Sequence, residues 1–233
     1  MSEPLSIERD GEVALVTLDR AEKRNALSIE LRERIASAFA ELAADDGVAC
    51  AVLTGAGSAF CAGMDTTQFG GDRANKERLV KCSVAAFDAV GSFPKPLIAA
   101  INGPAVAGGF ALALLCDLRL AAEEARLGFP ELPRGIPPSY AAARAALPAA
   151  VARELCLTGR LIDAREALAL GVVAEVHSGE VLLGRTRELA QGIAAMPARA
   201  SRATKERILL DRERTAGALF AAEEQDLRAA LLV

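Results

Sequence analysis

Apolar positions along this chain come in two rhythms. Leu5-Ser6-Ile7-Glu8-Arg9 and Val13-Ala14-Leu15-Val16-Thr17-Leu18 flank Asp10-Gly11, which predicts a hairpin turning at that pair. Residues 28–44 are amphipathic with the helical period, and Ser28 is placed to cap them. The continuous apolar run Ala49-Cys50-Ala51-Val52-Leu53-Thr54 predicts a buried strand. Gly70-Gly71-Asp72 predicts a flexible loop, and 74–91 a helix. Pro94 and Pro96 lead into a strand at 97–101, and 108–115 is apolar on every side, as a buried helix is. A strand follows at 118–121. Prolines after Pro130 break the chain before helices at 139–146 and 149–157. Ile162-Asp163-Ala164 opens another helix that ends at Gly171, ahead of a strand at 172–176, and three helices (180–194, 198–210 and 212–231) complete the pattern. Strands alternating with helices through residue 176 predict an α/β fold with right-handed crossovers and a helical tail.

Composition narrows the function classes. The 233 residues fit one large domain, 52% are hydrophobic, and the net charge is −4 with no basic run, which argues against a nucleic-acid partner. No apolar stretch is long enough to span a bilayer. Met1-Ser2-Glu3-Pro4 reads neither as a signal peptide nor as a transit peptide, so a cytoplasmic protein is expected. Five widely spaced cysteines fit reduced thiols, and with a single histidine no Cys/His metal site is expected.

Two segments carry chemistry. Phe60-Cys61-Ala62-Gly63-Met64-Asp65 follows the run at 49–54, and Ile101-Asn102-Gly103-Pro104-Ala105-Val106-Ala107-Gly108-Gly109 follows the run at 97–101. Each is a strand-like run that ends in small residues and opens into a helix. Small residues admit a ligand to the backbone, and free N–H groups at a helix start point outward with partial positive charge. Two such turns side by side would aim two N–H groups at one oxygen, which is an oxyanion hole.

The ordered set Asn25-Ala26-Leu27, Phe60-Cys61-Ala62-Gly63-Met64-Asp65, Ala107-Gly108-Gly109, Cys116-Asp117, Phe129-Pro130-Glu131, Leu157-Thr158-Gly159 and Ala164…Ala167…Gly171-Val172-Val173 resembles the enoyl-CoA hydratase/isomerase (crotonase) family over almost the whole chain. The resemblance implies a crotonase-like core of repeated ββα units in a two-sheet spiral (residues 1–178). It also implies a C-terminal helical region (179–233) that mediates trimerisation, the two acting as one unit, and a homotrimer or a dimer of trimers. An acyl-CoA thioester is implied as substrate, with no other cofactor and no metal. The oxyanion-hole amides fall on Met64 and Gly108. Arg24, Ala26, Ala62, Gly63 and Asp65 fall where the family lines the CoA pocket or braces the first loop, and Lys23 or Arg24 could meet a CoA phosphate.

Family hydratases use two glutamates. One of those positions is Ala111 here, and the other is kept as Glu131. Hydration needs one group to activate water and another to protonate the α-carbon, whereas a double-bond shift needs a single base that carries a proton from C2 to C4. Single-glutamate members are the isomerases, so the resemblance implies Δ3,Δ2-enoyl-CoA isomerase chemistry in fatty acid or related acyl-CoA metabolism. The apolar neighbours of Glu131 would raise its pKa. A hydratase or decarboxylase with a specialised substrate, and a non-catalytic acyl-CoA-binding protein, stand as alternatives. Asp65 is expected to brace a loop, Asp117 to be structural, Cys61 to be a small filler and His177 to lie at the surface. Tyr140 and Arg134 are secondary candidates near the acyl pocket and beside Glu131. No Gly-x-Ser-x-Gly elbow is present. Family members usually continue past Glu223-Glu224-Gln225-Asp226 into a short basic and aromatic segment, so weaker hold on CoA is expected here.

Overall fold

The computed structural model describes residues 3–68 and 71–232. Nine strands occur among them: β1 (Leu5–Asp10), β2 (Val13–Leu18), β3 (Cys50–Gly55), β4 (Leu97–Ile101), β5 (Ala105–Val106), β6 (Leu118–Ala122), β7 (Arg126–Gly128), β8 (Leu161–Asp163) and β9 (Glu175–His177). The α-helices are α1 (Ile29–Ala44), α2 (Arg73–Gly91), α3 (Gly108–Leu115), α4 (Tyr140–Ala146), α5 (Ala149–Thr158), α6 (Ala164–Ala169), α7 (Gly179–Ala194) and α8 (Ala198–Leu232).

The main sheet runs β1-β2-β3-β4-β6-β9. The β1–β2 hairpin is antiparallel and pairs Asp10 with Val13, with Gly11 at φ +60° in the turn; the remaining pairs are parallel. Alternation along the strands explains why they read as continuous apolar runs. Ala14, Val16, Ala51, Leu53, Leu97, Ala99 and Ile101 face the larger core beneath α1, α2 and α3. Val13, Leu15, Cys50, Val52, Ile98 and Ala100 face a second core closed by Leu182 and Ala190 of α7. Both faces are buried, so both sets must be apolar. Ser28 caps α1, its Oγ accepting from the Leu31 N–H at 3.2 Å, and Asp72 caps α2 through Asn75. Of the loop expected at 70–72, Gly70 lies outside the described residues.

The second sheet that the resemblance implies is β5-β7-β8, built from strands of two or three residues, too short to show a period in the sequence. Two expectations need correction. The strand placed at 172–176 begins only at Glu175. Val172 and Val173 instead turn back so that both N–H groups reach the Ala167 carbonyl, closing α6. The two C-terminal helices are one continuous α8 of 35 residues: Leu210-Asp211-Arg212 holds no glycine or proline to break it. Lys205 tethers α8 by donating to both Asp117 oxygens at 2.6 and 2.7 Å, and Arg212 donates to the Gly91 carbonyl.

Candidate active site

The first arm of the site leaves β3 at Gly55. A Cβ there would lie 2.3 Å from the Ala59 carbonyl, so only glycine lets the loop fold back. Asn25, fully buried at φ 55°, staples that loop: its Nδ2 faces the carbonyls of Ala56, Ala59 and Phe60 at 2.9, 2.8 and 3.2 Å, and its Oδ1 accepts from the Arg20 N–H. Asn102 holds it from the other side, donating to Gly57 O and accepting from Gly55 N–H. The second arm leaves β4, crosses Gly103-Pro104 and enters α3 through β5. Cys61 and Ala105 form a parallel bridge between the arms. Gly109 packs so closely that a Cβ would sit 2.2 Å from the Cys61 carbonyl.

These contacts bring the two proposed oxyanion amides onto neighbouring strands of backbone. Met64 bridges Leu27 in parallel: Leu27 N–H donates to Gly63 O at 2.8 Å and Asp65 N–H to Leu27 O at 3.3 Å. In such a ladder the intervening Met64 N–H points to the opposite edge. On the Gly63 side of that turn, a Cβ on Gly63 (φ +84°) would lie 3.3 Å from the Gly108 nitrogen. Gly108 is the first residue of α3, so its N–H has no partner inside the helix. Ala107 precedes it at φ 51°, ψ −127°, a conformation that costs an alanine about 1–3 kcal/mol and turns the chain from β5 into α3. Its N–H donates to Gly128 O at 2.9 Å, which ties the second arm to β7.

Three residues beyond Gly128 stands Glu131. The ring of Phe129 packs on Phe110 of α3 at 5.0 Å, which fixes this stretch over the helix. Glu131 is 8% exposed, and its Oε2 is buried without a hydrogen-bond partner. Burial pushes its carboxyl up to about 7, against smaller downward pulls from its own backbone N–H and the exposed Arg134. Ala111, 1% exposed, offers no proton-transferring group at the position of the family's other glutamate.

The remaining candidates divide by role. Asp65 accepts from Arg20 at 3.1 Å and from both Thr67 N–H and Oγ1, which braces the first arm. Arg24 is exposed at φ 50° and contributes its carbonyl, which accepts the Ala62 N–H at 2.9 Å. The Ala26 carbonyl accepts from Arg20 and from Ser28 N–H. Cys61 is buried, donates to the Asn25 carbonyl, and has its thiol pushed up to about 12 by burial, so it is inert filler. Asp117 is structural, accepting from Leu97 N–H and Lys205. His177 pairs with Glu175 at 2.7 Å on β9, and Tyr140, half-buried, starts α4. Two wall residues were not foreseen: a Cβ on Gly108 would lie 3.3 Å from Leu27 Cδ1 and 3.5 Å from Phe87 Cζ. Leu27 stands in the first motif, but Phe87 lies on α2 with nothing local to mark it. A groove of about 620 Å³ opens near the far end of α3, beside Lys205, Leu118 and Met196; Cys116 and Asp117 line it, but Met64, Gly108 and Glu131 do not. Among the described residues no acidic, Cys or His cluster could hold a metal, and no helix is long and apolar enough to cross a membrane.

The family model described as enoyl-CoA hydratase/isomerase matches residues 8–230. The chain belongs to the enoyl-CoA hydratase/isomerase family. A putative enoyl-CoA hydratase of Thermus thermophilus is 41% identical over 207 residues, covering 85% of this chain and 81% of that protein. The crystal structure of an enoyl-CoA hydratase/isomerase from Mycobacterium paratuberculosis superposes with a TM-score of 0.92 at 25% identity, covering 100% of this chain and 95% of the other. A monofunctional enoyl-CoA isomerase from M. smegmatis gives 0.77 at 28% identity, covering 91% and 95%. The crotonase fold expected from the motifs is therefore present, and the chain is an enzyme of this family.

Proposed function

We propose that the protein is a Δ3,Δ2-enoyl-CoA isomerase in which Glu131 is the only acid–base group. The observation that carries this reading is the pairing of a buried carboxylate at Glu131, its Oε2 without a hydrogen-bond partner, with alanine at 111. The thioester oxygen of a 3-enoyl-CoA lies against the N–H groups of Met64 and Gly108. Glu131 takes a proton from C2. The electron pair delocalises through the C3=C4 bond and onto the thioester oxygen, where the two N–H groups stabilise the dienolate. Glu131 then returns the proton at C4, leaving the conjugated 2-enoyl-CoA. A carboxylate held near 7 is matched to both halves of this shuttle. The CoA portion passes Arg24, Ala26, Ala62, Gly63 and Asp65, the thioester is substrate rather than cofactor, and no metal takes part. The chain assembles as a trimer or a dimer of trimers in the cytoplasm, so light scattering should give three or six times the 24.3 kDa chain mass.

Replacing the base tests the reading. Glu131→Gln keeps the shape and removes the proton acceptor, so turnover of 3-enoyl-CoA should fall about 10²–10⁴-fold with acyl-CoA binding retained. Parental turnover in that variant would sink the proposal. Hydration is the second reading, favoured by the Thermus thermophilus relative being named a putative enoyl-CoA hydratase. It requires a second proton-transferring group in place of Ala111.

A further inference from the structure

The buried Oε2 of Glu131 has no hydrogen-bond partner to orient it, so the carboxylate depends on its own backbone for its place. The near end of that backbone is held by the Gly128–Ala107 hydrogen bond, and the turn itself by Arg134 N–H and Ile136 N–H donating to Glu131 O at 2.9 and 3.3 Å. Beyond the turn the chain is largely exposed through Pro137. Its far end is held from a distant part of the sequence. Glu223 of α8 accepts from Ala141 N–H through Oε1 at 2.7 Å and from Ser139 Oγ through Oε2 at 2.8 Å. Ser139 Oγ in turn caps α4 by accepting from Ala142 N–H at 3.2 Å. The half-buried Glu223 thus supplies an acceptor to a first-turn N–H of α4 that the helix cannot pair internally. The Cys156 thiol of α5 lies close enough to feel the charges of both Glu131 and Glu223, so both carboxylates lie near it.

We propose that Glu223 is a positioning residue for Glu131: reaching from α8, its carboxylate pins the start of α4 and so the far end of the loop that carries the base. This rests on Glu131 acting as base. The role is that of an acceptor, not of a proton carrier. With Glu223 removed, Ser139 and the start of α4 lose their anchor and the loop gains freedom at the end that Glu131 cannot compensate. The oxyanion amides lie on other segments and are unaffected.

The test compares Glu223→Ala and Glu223→Gln in the full-length protein with 3-enoyl-CoA. A misplacement on the order of 1 Å costs up to about 10²-fold. Glu223→Ala should therefore lose about 10- to 100-fold in kcat with KM within about twofold, and the midpoint of its acid limb should move down from about 7 as water reaches Glu131. Glu223→Gln can still accept from Ala141 N–H and donate to Ser139 Oγ, and should stay within about threefold of the parent. If Glu223→Ala does not fold, Glu223→Asp, one methylene short of both donors, is read in its place. Amide exchange across residues 131–141 should quicken in Glu223→Ala whatever the turnover, which separates this inference from the choice of base. If Glu131→Gln retained parental turnover, the base assignment would fail while the exchange result still decided the anchor. Unchanged kcat and acid limb in Glu223→Ala, or a Glu223→Gln loss as large as that of Glu223→Ala, would overturn the proposal.

Discussion

Glu131 concentrates the physical argument at the scale of one residue. Taken from water with no partner for Oε2, the carboxylate is held up near 7, above its ordinary value of 4.5. Two consequences have opposite sign. With Glu131 as the proposed base, activity needs its ionised form, so kcat/KM should rise with pH through about 7 and level off above it, read from a rate profile. Stability runs the other way. Between 4.5 and about 7 the folded state keeps a proton that the unfolded chain has released, so this contribution is full below 4.5 and is lost as pH rises through about 7. The thermal midpoint of the parent should therefore fall relative to Glu131→Gln between about pH 5 and pH 8; parallel curves would mean that the carboxyl is not raised. Gly109 makes a steric argument of the same size. A Cβ 2.2 Å from the Cys61 carbonyl cannot be relieved by turning a side chain, because the neighbour is backbone. Gly109→Ala should cost about 1–3 kcal/mol in denaturant unfolding and lower turnover by driving the two arms apart.

At the scale of elements, what could be read from the chain and what could not follow from how far each feature reaches. The β1–β2 hairpin, α1 with its Ser28 cap, β4 and α3 are set by local period and punctuation, and they stand within a residue or two of where the pattern put them. Ala62, Gly63, Met64 and Gly108 sit in short motifs, so both arms were visible as small residues after a strand; only the second opens into an α-helix, the first running into a single 3-10 turn at Thr66–Gln68. The second sheet was implied only by the resemblance, and its strands could not be placed, because strands of two or three residues carry no period. Nor was the positive φ of Ala107 visible, since alanine gives no sign of a left-handed backbone. Phe87 and Glu223 reach their places through tertiary packing alone. The unbroken α8 shows a subtler failure: a break was expected at 211 without a residue able to make one. Its tether can be tested. Asp117→Ala would leave Lys205, 2% exposed, as a buried charge without its carboxylate and would remove the acceptor of Leu97 N–H. The loss should be about 3–5 kcal/mol, measured by denaturant unfolding; a change below about 1 kcal/mol would mean that Lys205 finds water or another partner.

The whole molecule is arranged so that distant segments meet at the ends of β3 and β4. The two-faced sheet fixes those strands between a large core and the layer closed by α7. The ends of β3 and β4 then lead into the Met64 and Gly108 turns, β7 is tied to the second of them through the Ala107–Gly128 hydrogen bond and leads on to Glu131, and α8 returns to hold the loop beyond it. The mechanism proposed above gives this site one proton carrier and one polarised oxygen, and that proposal predicts what the enzyme makes. The most direct measurement is the product distribution from 3-enoyl-CoA and, separately, from 2-enoyl-CoA, identified by mass and double-bond position, with Glu131→Gln alongside. The account predicts 2-enoyl-CoA from the 3-enoyl ester, lost in the variant, with little added water in either reaction. Rapid formation of 3-hydroxyacyl-CoA from the 2-enoyl ester would contradict it, because a single carboxylate would then be doing the work of two.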